Sequence, residues 1–185
     1  MLSIATTAMR CGTFSRWRIV LPRTKPFRKV LVEMTVLRGA RQILIHGMAM
    51  VLVGLVWGFA IPMAPHPRLA LGAHIQFVLN GMLLMVLATA LLSLPHRVGL
   101  KSTWIMTLAA WLTWGMAMSE VANSWWGTTQ TLPIAASQSA ADGGKPWQEL
   151  VVTIAHFAAG LGLIIAWVLL LIGFVKQPTD ESSVH

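Results

Sequence analysis

The chain has 185 residues, of which 56% are hydrophobic and 11% are charged, and its mean hydropathy is +0.68. A chain of this size with so little charge cannot cover itself with a polar surface, which argues against a water-soluble domain. The formal charge of +8 does not indicate a nucleic-acid partner, because the basic residues gather between Arg10 and Arg41 instead of spreading over the chain.

Residues 1–41 form a basic segment in which Glu33 is the only acid. The segment lacks the apolar core and small-residue cleavage site of a secretory signal. We interpret it as a basic cytoplasmic N-terminal tail. A transit peptide, a membrane-surface helix, and a true start at Met34 are alternatives that the sequence leaves open.

Four apolar runs follow this segment, each long enough to cross a bilayer, which takes roughly 20 helical residues. Pro62 and Pro95 end the first two runs, since proline removes a backbone donor and disrupts a helix. The predicted spans are about 42–63, 71–94, 102–121 and 150–175. The sequence therefore predicts an all-α fold, an integral membrane four-helix bundle over residues 42–176.

The distribution of basic residues predicts the orientation of the bundle. They precede the first span, follow the second at Arg97 and Lys101, and follow the fourth at Lys176. By the positive-inside rule, both termini should be cytoplasmic, in a multi-pass protein of the cell inner membrane. The polar residues 123–149 then form a loop on the opposite side, and residues 177–185 form a polar C-terminal tail.

Ionisable and amide side chains are costly in hydrocarbon and are retained mainly for function. Of such residues inside the predicted spans, five are the candidates: His46, His74, Asn80, Glu120 and His156. His46 also fits a headgroup-level histidine, and His156 fits a packing residue as well as a ligand, so the roles of His46, His156 and Glu120 stay open. The single cysteine, Cys11, excludes an internal disulfide and a Cys-based metal site.

Other polar residues lie at the ends of the spans. Three histidines in loops or at helix ends are expected to be solvated: His66, His96 and His185. Glu149 lies where the long loop re-enters the membrane. It fits a surface acid, or a residue that contacts substrate or shapes the site.

The second span carries the most informative motif. From Ala73 it reads Ala-His, five residues, then Asn-Gly-Met, which places His74 and Asn80 on one apolar helix. This pattern resembles a motif shared by hydroxylaminobenzene mutase and styrene oxide isomerase, and His46-Gly47 is similar to the same families. Three further segments are similar to the mutase branch: Trp126-Gly127, Pro133-Ile134-Ala135 and Gln148-Glu149.

The resemblance implies a homotrimer with haem b between protomers. His74 matches the axial histidine of styrene oxide isomerase, and Asn80 matches its substrate-contacting asparagine. Glu149, in the mutase-like segment, becomes a candidate catalytic residue. That isomerase also uses a tyrosine near its substrate, whereas this chain has no tyrosine, which argues against an unmodified epoxide-isomerase site.

The residues themselves are compatible with this reading. A neutral imidazole binds iron well, so His74 is a sensible haem ligand, although a histidine satisfied by a backbone carbonyl is the alternative. Asn80 lies about 9 Å further along the helix and about 120° around it. The two side chains should therefore face different neighbours, so that in a trimer the histidine of one protomer and the asparagine of the next share a cofactor.

The expected function is that of a membrane isomerase converting N-arylhydroxylamines to 2-aminophenols. Ferric haem b on His74 would act as a Lewis acid, and Asn80 would orient a small aromatic substrate arriving from the lipid. The alternatives are an epoxide isomerase producing aldehydes, a non-catalytic electron-transfer protein with His74 and His156 on its haem, and a scaffold without cofactor.

Overall fold

The structure is a computed structural model that describes residues 25–176. Helices joined by loops make up this part of the chain, which contains no strand and thereby confirms the all-α prediction. A short 3-10 turn at Ile61–Met63 joins the first two helices. The helices are α1 (Lys25–Gly58), α2 (Pro67–Ser93), α3 (Leu100–Trp126), α4 (Pro133–Gln138) and α5 (Pro146–Val175).

Three of these helices are long and apolar enough to cross a membrane: α1 from Val30, α2 and α5. The third predicted span corresponds to α3. This helix is as long as α2, with 27 residues, but its hydropathy is lower. The reason is a set of polar side chains buried inside the bundle: Thr103, Thr107, Thr113, Ser119, Glu120, Asn123 and Ser124. A membrane crossing by α3, and with it the four-span bundle, stays a prediction.

The first helix starts earlier than the sequence predicts. It begins at Lys25 and continues without a break past the predicted boundary at residue 41. Val36, Ala40 and Ile43 explain this, because they lie three or four residues apart on one face and are all buried. The last part of the predicted tail therefore belongs to α1, while residues 1–24 and 177–185, with His185, lie outside the described residues.

The helices run up and down, so that connections gather at two ends. At one end, the backbone N–H of Arg97 donates to the carbonyl of Gly173, 3.0 Å away, which ties the α2–α3 connection to the end of α5. At the other end, His66 N–H donates to Ser124 O at 3.1 Å. The end of α5 and the α2–α3 connection thus share one end of the bundle.

Two loop histidines are part of this framework. One nitrogen of His96, Nε2, donates to Leu91 O at 2.9 Å, and its Nδ1 accepts the N–H of Val98 at 3.1 Å. His66 packs against the end of α3. Both residues are half-buried, so the expectation that they are solvated holds only in part. A tight turn leaves backbone groups unpaired, and an imidazole satisfies them.

The backbones of α1 and α2 approach most closely at two glycines. A Cβ atom on Gly47 would lie 2.7 Å from the carbonyl oxygen of Gly81, and a Cβ on Gly81 would lie 2.7 Å from that of Gly47. Small residues at such a crossing let two helices come into backbone contact. The glycine that follows His46 and the glycine that follows Asn80 therefore fix how the two motif-bearing helices pack.

This crossing predicts that Gly81→Ala destabilises the bundle. The added methyl would also lie 3.0 Å from the backbone nitrogen of Val51, so relief requires a shift of α1. We expect a loss of about 1–3 kcal/mol, read as a lower midpoint of thermal unfolding in detergent. Gly115→Ala is the control, since its methyl meets no atom within 4 Å. Equal midpoints for the two variants would contradict the prediction.

Candidate functional site

His74 is held against α1 by two glycines. Its Nδ1 lies 2.7 Å from the carbonyl oxygen of Gly54. A carbonyl can only accept, so Nδ1 carries the hydrogen and Nε2 of the neutral ring keeps a free lone pair. A Cβ on Gly58 would lie 3.3 Å from Nδ1, so glycine leaves room for the ring. The ring is half-buried, and its free nitrogen is available to a ligand.

His46 has the opposite arrangement. The indole N–H of Trp114 donates to His46 Nδ1 at 3.1 Å, so this nitrogen uses its lone pair inside the chain. The neutral ring then carries its hydrogen on Nε2. Trp111 packs edge-on against the imidazole with ring centroids 4.6 Å apart. The structure places His46 in an aromatic cluster, with no nitrogen prepared to bind a metal.

His156 meets Glu120 between α5 and α3. Its Nδ1 lies 2.8 Å from Val152 O, and its Nε2 lies 3.1 Å from Oε1 of Glu120. Glu120 is fully buried. The contact with His156 is close but off hydrogen-bond geometry, and neither carboxylate oxygen accepts a well-aligned hydrogen bond within the described chain. The sequence named both residues separately, and the fold brings them together.

Asn80 lies inside the bundle, only 6% exposed. Its Nδ2 donates to Oε1 of Gln76, 3.0 Å away, so the amide oxygen and one N–H stay free. Asn80 and His74 occupy different faces of α2, as the spacing of six residues predicts. One protomer therefore does not bring the two motif residues together on one wall.

Glu149 organises the long loop. The carboxylate is 4% exposed, and its Oε1 accepts the backbone N–H groups of Thr129 at 2.8 Å and Gly144 at 3.1 Å. Oε2 accepts that of Gln130 at 3.0 Å. Three backbone hydrogen bonds to one carboxylate bind both arms of the loop to the start of α5. The contacts give Glu149 an anchoring role, and its contact with substrate stays a prediction.

A second polar anchor in the same region went unrecognised in the sequence. Asn123 Oδ1 accepts both the backbone N–H of Thr128 at 2.9 Å and its hydroxyl at 2.6 Å. The chain turns between them at Gly127, whose φ of 64° favours glycine. An Asn four residues before a glycine that ends a helix was the available signal.

Among the described residues, no three His, Cys, Asp or Glu side chains gather into a metal-ion site. A haem requires less from the protein, because the macrocycle supplies four nitrogen ligands and one histidine completes an axial position. Of the three intramembrane histidines, His74 alone combines a fixed ring with a free Nε2 lone pair. The donor set thus fits a haem held by His74.

Comparison with known proteins gives the class. The family model described as styrene oxide isomerase matches residues 39–175, and the chain belongs to this family. The matched range includes all the motif residues from His46 to Glu149, so the resemblance is confirmed. Together with three helices apolar enough to cross a bilayer, it identifies a membrane protein of an isomerase family.

The chain is also similar to two proteins from Ectopseudomonas oleovorans. Hydroxylaminobenzene mutase HabB is 30% identical over 145 residues, which are 78% of this chain and 86% of the relative. Hydroxylaminobenzene mutase HabA is 30% identical over 133 residues, 70% of this chain and 94% of the relative. No solved structure matches the chain.

The anchoring role of Glu149 predicts the behaviour of Glu149→Gln. The amide lacks the charge and turns an N–H₂ group toward one of the three backbone amides. Hydrogen bonds to charged groups contribute about 1.5–3 kcal/mol each. Exchange of those amides, followed by mass spectrometry, should therefore accelerate about tenfold or more. Asp142→Asn makes the same change at an exposed residue of the loop and should leave exchange unaltered, whereas equal exchange in both would refute the anchor.

Proposed function

We propose that this protein is a membrane isomerase that rearranges N-arylhydroxylamines to 2-aminophenols. His74 would hold a haem b, and the protein would be a homotrimer of four-span protomers in the inner membrane. The observation that carries the proposal is the tautomer of His74. Its Nδ1–H donates to Gly54 O, and the lone pair of Nε2 stays free. Family membership and the two mutase relatives support the reaction class.

The surroundings of His74 suit an axial ligand. Histidines that bind metals commonly donate their other ring N–H to a carbonyl or carboxylate, which fixes the tautomer and the orientation of the ring. Gly54 supplies that carbonyl, and Gly58 leaves space beside the ring. When bound, a ferric haem supplies a Lewis acid that binds the hydroxylamine and weakens its N–O bond.

Asn80 would orient the substrate. Its free amide oxygen and N–H can accept from and donate to a hydroxylamino group, while the bond to Gln76 fixes the side chain. Because Asn80 and His74 lie on different faces of α2, one protomer's histidine and the next protomer's asparagine would serve one site. This geometry is the reason that the proposal includes a trimer.

Epoxide isomerisation to aldehydes is the second candidate, favoured by the description of the family model. The absence of tyrosine and the similarity to two mutases favour the hydroxylamine reaction. An electron-transfer haem protein would need a second axial histidine. His156 does not suit that role within the chain, because its Nε2 faces Glu120.

The proposal predicts that His74→Ala lowers haem content and isomerisation together, because it removes the axial ligand. His46→Ala and His156→Ala should retain more haem. Asn80→Ala should keep the haem spectrum, because the iron ligand is unchanged. Its turnover should fall by about tenfold or more, because the variant loses hydrogen bonds to the substrate. The measurements are the haem-to-protein ratio and an assay with N-phenylhydroxylamine. Full haem content in purified His74→Ala would end the ligand assignment.

The orientation is tested by labelling single cysteines in a Cys11→Ser background. Ser137→Cys in the long loop should react only from outside the cytoplasm, and Ser93→Cys at the end of α2 only from inside, because both positions are exposed at opposite ends of the bundle. A membrane-impermeant maleimide on intact cells and on inverted vesicles makes the distinction. The reverse pattern would invert the proposed topology.

A further inference from the structure

A pocket between the start of α3 and the facing part of α1 lies away from the residues of the proposed reaction. Its volume is about 130 Å³. Pockets that enclose a small organic ligand are larger, at roughly 300–1,000 Å³, so this space suits one end of a larger molecule. Six side chains with polar atoms line it: Thr35, Arg38, Gln42, Thr103, Trp104 and Thr107.

The depth of the pocket along α1 matches the headgroup level of a bilayer. This helix is long and apolar enough to cross a membrane, and it ends at Gly58. About 20 helical residues span the hydrocarbon core of about 30 Å, and counting back that number from Gly58 reaches Arg38. Trp104 is 69% exposed beside the pocket, and tryptophan is enriched where headgroups meet hydrocarbon.

The pocket offers hydrogen-bond donors and is lined by no carboxylate. The hydroxyl groups of its three threonines already donate to carbonyls of the backbone. The donors that remain are the guanidinium of Arg38, the amide of Gln42 and the indole N–H of Trp104. A guanidinium binds a phosphate through two parallel N–H bonds. The pocket therefore fits a phosphate group, and it has no acid to receive an ammonium.

The charges around the pocket favour a ligand with net negative charge. Within the described residues, Glu33 is the only acid at this end of the bundle, and no ion pair joins it to Arg38. Basic segments next to a membrane-spanning helix attract anionic lipids. Several basic side chains are exposed at this end: Arg38, Arg41, Arg97, Lys101 and Lys176.

The surface next to the pocket, toward the middle of the helices, is apolar. Ile45 follows Gln42 by three residues on α1, and Leu108 follows Trp104 by four on α3, so each lies on the face of its helix that lines the pocket. Both side chains are exposed. A free phosphate would use only the polar end of this surface. A phospholipid would use all of it, because its acyl chains can lie along Ile45 and Leu108.

We propose that this pocket binds the headgroup of an anionic phospholipid of the phosphatidylglycerol class, with Arg38 on the phosphate. Gln42 and Trp104 donate to the remaining oxygens of the headgroup. The inner wall is closed where α1 meets α3, since a Cβ on Gly39 would clash with the side chain of Thr103. The site requires α3 to lie in the bilayer beside α1, and it is independent of the reaction proposed at His74.

The test measures lipid binding to the full chain in detergent by native mass spectrometry. Phosphatidylglycerol should bind more tightly than phosphatidylcholine with the same acyl chains, because the pocket has no partner for a choline. Arg38→Gln should weaken binding of phosphatidylglycerol about tenfold or more, since hydrogen bonds to charged groups are the strong ones. Arg38 is exposed, so the variant should fold as the wild type does.

Arg41→Gln is the matched control, because it removes the same charge at an exposed residue about one turn away that does not line the pocket. Its affinity for phosphatidylglycerol should stay close to that of the wild type. Equal losses in the two variants would assign the binding to diffuse surface charge and overturn the proposal. Unchanged affinity in Arg38→Gln, or equal affinity of the wild type for the two lipids, would overturn it as well.

Gln42→Leu tests the pocket without a change of charge, because it removes the amide and keeps a side chain of similar size. Its affinity for phosphatidylglycerol should fall about threefold or more, and an unchanged affinity would contradict the proposed site. Inorganic phosphate in large excess should leave the lipid bound, since it makes no contact with the apolar surface. Complete displacement would show that the pocket takes a soluble anion, and the lipid assignment would fall.

Discussion

The contact between α1 and α2 at Gly47 and Gly81 governs the geometry of the candidate haem ligand. Gly54 follows Gly47 by seven residues and Gly58 follows Gly54 by four, so the three glycines lie on one face of α1. Backbone contact at Gly47 brings this face against α2. Gly54 then offers its carbonyl to His74, and Gly58 leaves space for the ring. Glycine is required because a side chain would separate the two backbones. The same packing that joins the helices therefore sets the tautomer of His74.

The low hydropathy of α3 follows from the polar side chains that the helix buries inside the bundle. Several of its hydroxyl groups bond to carbonyls one turn earlier, as Thr107 does with Thr103 O at 2.9 Å, so they cost little when buried. Glu120 has no such local partner and depends on His156 from α5. A helix with these residues is less apolar than its neighbours, and its polar face places buried hydroxyl, amide and carboxyl groups in the interior of the bundle.

The long loop is an ordered cover at the end of the bundle where Glu120 and His156 lie. Glu149 binds both of its arms, and Asn123 fixes the turn with which it leaves α3. These anchors satisfy backbone groups that would otherwise need water. Within the described chain, the loop therefore has a defined structure over the helix ends. Its polar composition alone indicated only that it does not cross a membrane.

The sequence by itself determined the helical class, the approximate position of each long helix and the family, because apolar runs, prolines and the motif around His74 are local features. It also separated His74 from Asn80, since their spacing fixes their angle on α2. Only the tertiary structure joined Glu120 to His156, which are distant in the chain, and showed that Glu149 binds the loop. It also extended α1 back to Lys25. Pairing and burial depend on which faces meet, and no local pattern contains that information.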